Sequence, residues 1–179
     1  MTVETKYAGT GSTRGSGNDW YLPIYYVGVP DAYWAAGPIV TRQLVGSNFG
    51  FIVPDGSTVS QIRAGIHRSK GLEAGLQDLT VRLFDGLVLI GANHAGEAGD
   101  WIATYPAWEE AIYVWNPPPA AATPAVLRSA DFGIVLAATS GFPTQIAYAE
   151  SVWIEISYTP PTPMANHSWW GPFRWWDAA

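Results

Sequence analysis

Three histidines and fifteen carboxylates carry whatever acid–base or metal chemistry this 179-residue chain has, because cysteine is absent. Without cysteine there is no disulfide, no thiolate nucleophile and no Cys-based zinc site. His67, His94 and His167 are scattered, and none has a second histidine at helical metal-ligand spacing. His67 falls on an outward strand face and His94 in the polar stretch Gly91–Asp100, positions that suit surface or turn histidines. Glu109 and Glu110 are sequence neighbours, so a strand sends them to opposite faces and denies them a paired-carboxylate role. Asp78, Asp85, Asp100 and Asp131 all fall at expected strand ends, where aspartate serves turns. Glu73, Asp78 and Glu97 are the carboxylates that could converge on a calcium ion, yet they lack the spacing of an EF-hand loop. Gly9-Thr10-Gly11-Ser12-Thr13-Arg14 starts like a dinucleotide loop but has Arg where the last glycine is needed, with no strand before it or helix after it. No nucleophile elbow between strand and helix and no Walker lysine is present. The expectation is no catalytic, cofactor-binding or metal-binding residue, which disfavours an enzyme such as a small depolymerase.

The elements that must position these groups are strands. Leu79–Phe84, Ile62–His67 and Ser151–Tyr158 alternate apolar and polar residues, as strands with one face on a core do. In the last of these, Val152, Ile154 and Ile156 form an inward set whose extension backward puts Glu150 on the core side. A carboxylate there needs a partner, Arg68 or Arg128, unless a bulge turns it outward. Phe132–Leu136 is apolar throughout and suits a central strand covered on both faces. Turns separate the runs: Pro54-Asp55-Gly56, the hairpin signal Asp85-Gly86, the Asn116–Pro119 stretch after Ala111–Trp115, and Gly141-Phe142-Pro143. With 19 glycines and 14 prolines and no capped helical period, the fold expected is all-β. In architecture it is an antiparallel two-sheet sandwich, jelly-roll-like, over residues 19–159, preceded by a flexible extended N-terminal arm, 1–18, and followed by residues 160–179.

A net charge of −6 gives no support to nucleic-acid binding, which needs surplus cations to displace phosphate counterions. No apolar stretch approaches ~20 residues, so no membrane span is expected, and the start of the chain lacks the apolar core of a signal peptide. The stiff spacer Thr159-Pro160-Pro161-Thr162-Pro163 leads to Trp169, Trp170, Phe173, Arg174, Trp175 and Trp176, five aromatic rings and a cation within eight residues. Rings in such density do not stay in water, so these six residues are the candidate partner-binding site. The sandwich is itself rich in aromatics, among them Trp20, Tyr21, Tyr25, Tyr26, Tyr33, Trp34, Trp101, Tyr105, Trp108, Tyr113 and Trp115. Flat exposed rings hold pyranose faces in carbohydrate-binding jelly rolls, although most aromatics on strands are packed.

The strand motifs, taken in order, resemble a module encoded by many tailed bacteriophages. Asn48–Ile62 (NFGFIVPDGSTVSQI) is similar to the module's "FGF-x-IP-x-GA-x-I-x-GI" opening, and Asp31–Ala35 resembles its "D-x-SYA" segment. Ile66–Ser69, Asp78–Leu83, Gly91–Ala95, Trp101, Tyr105-Pro106, Asp131–Leu136 and Ala149–Thr159 follow in the same order. The resemblance covers residues 18–159 and is one of turns and core positions, without chemistry. Asn116–Ala125 replaces the module's usual "WG-x-x-W-T-x-A" stretch with a Pro- and Ala-rich loop, and everything from Pro160 onward lies outside it. The resemblance implies a virion structural protein made in the host cytoplasm and placed on the capsid surface. Its expected work is that of a head decoration, or cement, protein that bridges capsid subunits. The partners so implied are the major capsid protein or another virion protein, and copies of itself as a trimer or dimer, with no cofactor. The other function class is a carbohydrate- or receptor-binding module of a tail fibre or spike.

Overall fold

A computed structural model of the chain describes residues 1–17, 19–20, 33–36 (backbone only), 40–72, 75–142 and 145–162. Ten strands lie within them: β1 (Thr2–Tyr7), β2 (Thr10–Arg14), β3 (Tyr33–Ala36), β4 (Gln43–Ser47), β5 (Thr58–Lys70), β6 (Leu76–Asp85), β7 (Val88–Ile90), β8 (Glu109–Trp115), β9 (Phe132–Ser140) and β10 (Ile146–Thr159). They form two antiparallel sheets. One has the order β1-β10-β5-β8, with β3 also paired to β10; the other has the order β2-β4-β9-β6-β7. The molecule is an all-β, jelly-roll-like sandwich of these two sheets. A single helical turn, α1 (Pro124–Leu127), is capped by Thr123, whose hydroxyl accepts from the Val126 N–H, and it turns Leu127 into the core.

The alternation in sequence becomes the core directly. Ile62, Ala64 and Ile66 of β5 and Val152, Ile154 and Ile156 of β10 are fully buried against Leu83, Phe132, Ile134 and Leu136 of the other sheet. The apolar run in β9 takes the central place in its sheet, between β4 and β6, and both of its faces are covered. Its outer face packs Val135 with Val45 and Phe84, and the Arg14 guanidinium lies 4.9 Å over the Phe84 ring. Burial beneath these neighbours pulls the Arg14 pKa below its usual value. Asp85 and Val88 close a two-residue hairpin on Gly86, whose φ of +58° favours glycine.

The N-terminal segment expected as a flexible arm is laid down as strands instead. Thr2–Tyr7 pairs with Tyr158–Trp153 of one sheet, and Thr10–Arg14 pairs with Ser47–Gln43 of the other. The chain crosses between sheets at Ala8 and Gly9, whose N–H groups donate to Val152 O at 3.1 Å and Ser47 O at 2.9 Å. An edge strand needs backbone pairing and little side-chain burial, so the small polar residues that suggested a loop do not prevent it. Threonines at 2, 5, 10 and 13 suit the extended backbone.

Of three register shifts among the described strands, two bear on the charged groups. In β6 the register shifts between Asp78 and Thr80, turning Asp78 inward and leaving Leu79 exposed. In β10 it shifts between Ala149 and Ser151, so the inward set changes from Ala147 and Ala149 to Val152 and its followers. Glu150 sits on that bulge and is diverted from the core, the outward alternative for this residue.

Candidate functional site

The sandwich has two ends. At one, called here the Gly56 end, the Pro54–Gly56 turn enters β5 and β10 finishes, with Pro161 resting against Gly56. At the other, the Lys70 end, β5 and β9 finish and β6 and β10 begin. The long connection 91–108 climbs to the Lys70 end along β6. Asn93 accepts from the Val81 N–H and donates to Leu79 O, and Trp101 N–H donates to Leu76 O.

Beneath that connection lies a buried charge cluster. The inward set of β5 continues from Ile66 to Arg68, whose side chain is 2% exposed. Its Nη1 donates to Asp78 Oδ2 at 2.6 Å and to the Tyr113 hydroxyl at 3.1 Å, and its Nε donates to Glu109 Oε1 at 2.8 Å. Its Nη2 donates to the carbonyls of Ala98 and Gly99, and its plane lies 5.3 Å over the Trp101 ring. Asp78 also accepts from Trp101 Nε1 at 2.8 Å and from the Tyr113 hydroxyl at 2.5 Å. Glu109 Oε2 accepts from the N–H groups of Ile102 and Ala103. One cation thus serves two carboxylates, and further fixed donors satisfy the remaining oxygens. With their lone pairs committed, these acids are poor candidates for proton transfer to a bound substrate. They pin the connection 91–108 onto the sheet.

This cluster corrects two sequence expectations. Asp78 does not serve a turn: the bulge aims it into the core. Arg68 is not the partner of Glu150, and Arg128, the other candidate, donates to Val53 O at 2.6 Å and to Asp55. The available signal was the even-numbered series Ile62, Ala64, Ile66, which runs straight on to Arg68.

The outer face of the same sheet carries a looser set. His67 Nε2 lies 3.4 Å from Glu110 and Nδ1 3.5 Å from Glu150. Trp153 donates from Nε1 to Glu110 at 2.6 Å, and its indole lies over Gly65, where an added Cβ would stand 2.3 Å from the ring. His94 packs edge-on against Trp115 with its Nδ1 2.7 Å from Glu97. Glu109 and Glu110 do face opposite sides. Among the described residues, no group of three His, Asp or Glu is placed to hold a metal ion.

Large apolar groups are displayed at the Lys70 end. Leu72, Ile102, Tyr105 and Phe142 are 91%, 77%, 48% and 46% exposed. Their loops interlock: Tyr105 N–H donates to Lys70 O, Lys70 N–H to Ala103 O, and Gly71 N–H to Ile146 O. Phe142 lies beside Gly75. Tyr105 stacks on Tyr148 at 4.7 Å and meets Trp108 edge-on at 6.0 Å. Burial, followed by the neighbouring Tyr105 phenol, raises the Tyr148 pKa.

Of the aromatics singled out in the sequence, Trp20, Trp101, Tyr113 and Trp115 are core, and Tyr105 is exposed. Tyr21, Tyr25, Tyr26 and the six partner-binding residues Trp169, Trp170, Phe173, Arg174, Trp175 and Trp176 lie outside the described residues, as do the side chains of Tyr33 and Trp34. The fold and this end surface define a β-sandwich with displayed apolar groups and internally committed charges. Set against known proteins, the chain matches no family model and no curated sequence.

Proposed function

We propose that this chain is a phage virion structural protein, a capsid decoration (cement) protein that bridges neighbouring capsid subunits through buried interface and not through chemistry. The observation that carries the reading is a segregation of roles. Charged side chains in the interior are consumed by the Arg68 cluster, while large apolar side chains are exposed at both loop ends, Leu72, Ile102 and Phe142 at one and Ile52, Leu87 and Val88 at the other, and recur in the aromatic segment beyond Pro160. The resemblance of residues 18–159 to a phage sandwich module supports the same reading. Symmetry-related copies add their modest contacts by avidity, so each anchor needs little affinity of its own. The partner is the major capsid protein or another virion protein, with copies of this chain as trimer or dimer.

The test is cosedimentation of the full-length protein with phage shells that lack it. Serine at all four of Trp169, Trp170, Trp175 and Trp176 should reduce shell binding at least tenfold with an unchanged far-UV circular dichroism spectrum. Undiminished binding by that variant overturns the proposal. A second reading, a carbohydrate- or receptor-binding module of a tail fibre or spike, is favoured by the exposed Tyr105 ring, stacked on half-buried Tyr148 and edge-on to half-buried Trp108. It requires quenching of tryptophan fluorescence by host glycans and a handful of copies per particle in place of hundreds.

A further inference from the structure

We propose that the free edge of β8 is a self-pairing surface: two copies of this chain join β8 to β8, antiparallel about a two-fold axis at Ile112, and continue one sheet across both molecules. The inference goes beyond the proposed function, since it stands on backbone geometry, and of the assemblies named there it selects the dimer. β8 ends its sheet, with β5 beside it. Hydrogen-bond parity fixes which of its backbone groups are left over. Ala8 N–H donates to Val152 O one step beyond the Tyr7–Trp153 rung, so Val152, Ile154 and Ile156 turn their backbone groups toward β1. Trp153 and Glu155 turn theirs toward β5, opposite Gly65 and Arg63. The alternate residues of β5, Ile62, Ala64, Ile66 and Arg68, therefore bond to Trp115, Tyr113, Ala111 and Glu109 of β8. Glu110, Ile112 and Val114 direct their N–H and C=O groups away from the sheet, and among the described residues nothing hydrogen-bonds to those backbone groups.

Edges elsewhere in the sandwich are blunted in ways that β8 is not. β7 has three residues and β3 four, β2 has a glycine inside it, and β1 turns Glu4 and Lys6 to the inner face beside Ile156 and Ile154. Ala111–Trp115 (AIYVW) holds no charge, glycine or proline. What fits this edge is its own sequence turned round. With the axis at Ile112, Glu110 of one copy stands opposite Val114 of the other and Ile112 opposite Ile112, and each such rung exchanges two backbone bonds. Every free group of the edge is then used. Glu109 falls opposite Trp115, so no carboxylate faces another. An axis at Glu110 would set glutamate against glutamate, and one at Val114 would set Glu110 against Pro118, which has no N–H to give. The two-fold contact consumes both β8 edges and closes at two chains.

Ile112 is the sensitive position, because it meets itself across the axis with Cα atoms about 5.5 Å apart. The test is sedimentation velocity on full-length chains at neutral pH, without shells. The parent should be a dimer at tens of micromolar. Ile112→Lys and Ile112→Glu each set like charges against each other and should be monomeric, while their equimolar mixture should regain the dimer as a one-to-one pair. Val114→Pro removes an N–H that β5 does not use, so it should keep the parent's far-UV circular dichroism spectrum and weaken dimerisation at least tenfold. That variant decides the matter where a charge at position 112 prevents folding. A parent that stays monomeric overturns the inference, and this is also the result if the edge takes a strand of a different protein. So do folded charge variants that dimerise singly or fail to combine, or a Val114→Pro chain that dimerises like the parent. A monomeric parent that still binds shells removes this inference and leaves the proposed function standing. A dimeric parent that ignores shells does the reverse.

Discussion

Two adjacent rungs of one strand pair make opposite use of the same chemistry. On β5 and β8, Arg68 stands opposite Glu109 and His67 opposite Glu110, one residue apart in register. The pleat sends the first pair into the sandwich and the second to its outer face. Arg68 is 2% exposed and meets its carboxylates at 2.6 and 2.8 Å, whereas His67 is 40% exposed and meets Glu110 and Glu150 at 3.4 and 3.5 Å. The difference teaches where charge matters in this fold. A buried ion must have every partner in place, because leaving one unpaired costs several kcal/mol. A half-wet pair is screened by water and contributes little.

The comparison makes a ranked set of outcomes. Arg68→Met strands Asp78 and Glu109 without their cation and should cost about 3–5 kcal/mol in urea unfolding. The loss should be smaller when Asp78→Asn and Glu109→Gln are added, and a cost below about 1 kcal/mol for Arg68→Met alone would equate the two rungs. His67→Gln on the outer rung should change stability by no more than about 1 kcal/mol, and a double-mutant cycle with Glu110→Gln should give a coupling within that range. The smallest effect belongs to the Tyr148 phenol at the rim. Its pKa is raised in the folded state by burial and by Tyr105, so the folded chain holds that proton more tightly than the unfolded chain. The stability this contributes is present below the ordinary tyrosine pKa of about 10 and is lost as pH rises above it. Alkaline unfolding curves of the parent should therefore fall more steeply above pH ~10 than those of Tyr148→Phe.

Much of the framework was legible because it is local. Period-two alternation marked the inner faces of β5 and β10, the continuous apolar run marked β9 as central, and Asp85-Gly86 marked the β6–β7 hairpin. The buried cluster was legible only in part. The series Ile62, Ala64, Ile66 leads to Arg68, but Asp78 looks like a turn residue until the bulge before Thr80 inverts its face. A bulge is one unpaired residue, and a single chain does not say which residue its neighbour skips. The edge strands β1 and β2 were hidden for a related reason: backbone pairing holds them, and their small polar side chains carry no apolar period.

Composition and alternation alone therefore determined the class of this protein: all-β, rich in turns, without cysteine, and ending in indole rings. They determined it because solvent exposure of apolar groups is a property of each strand by itself. Tertiary structure decided which of two neighbouring glutamates lies inside, which arginine is spent, and which end displays Leu72, Ile102 and Phe142. Those outcomes depend on register between strands distant in sequence, where a shift of one residue exchanges the inner face for the outer.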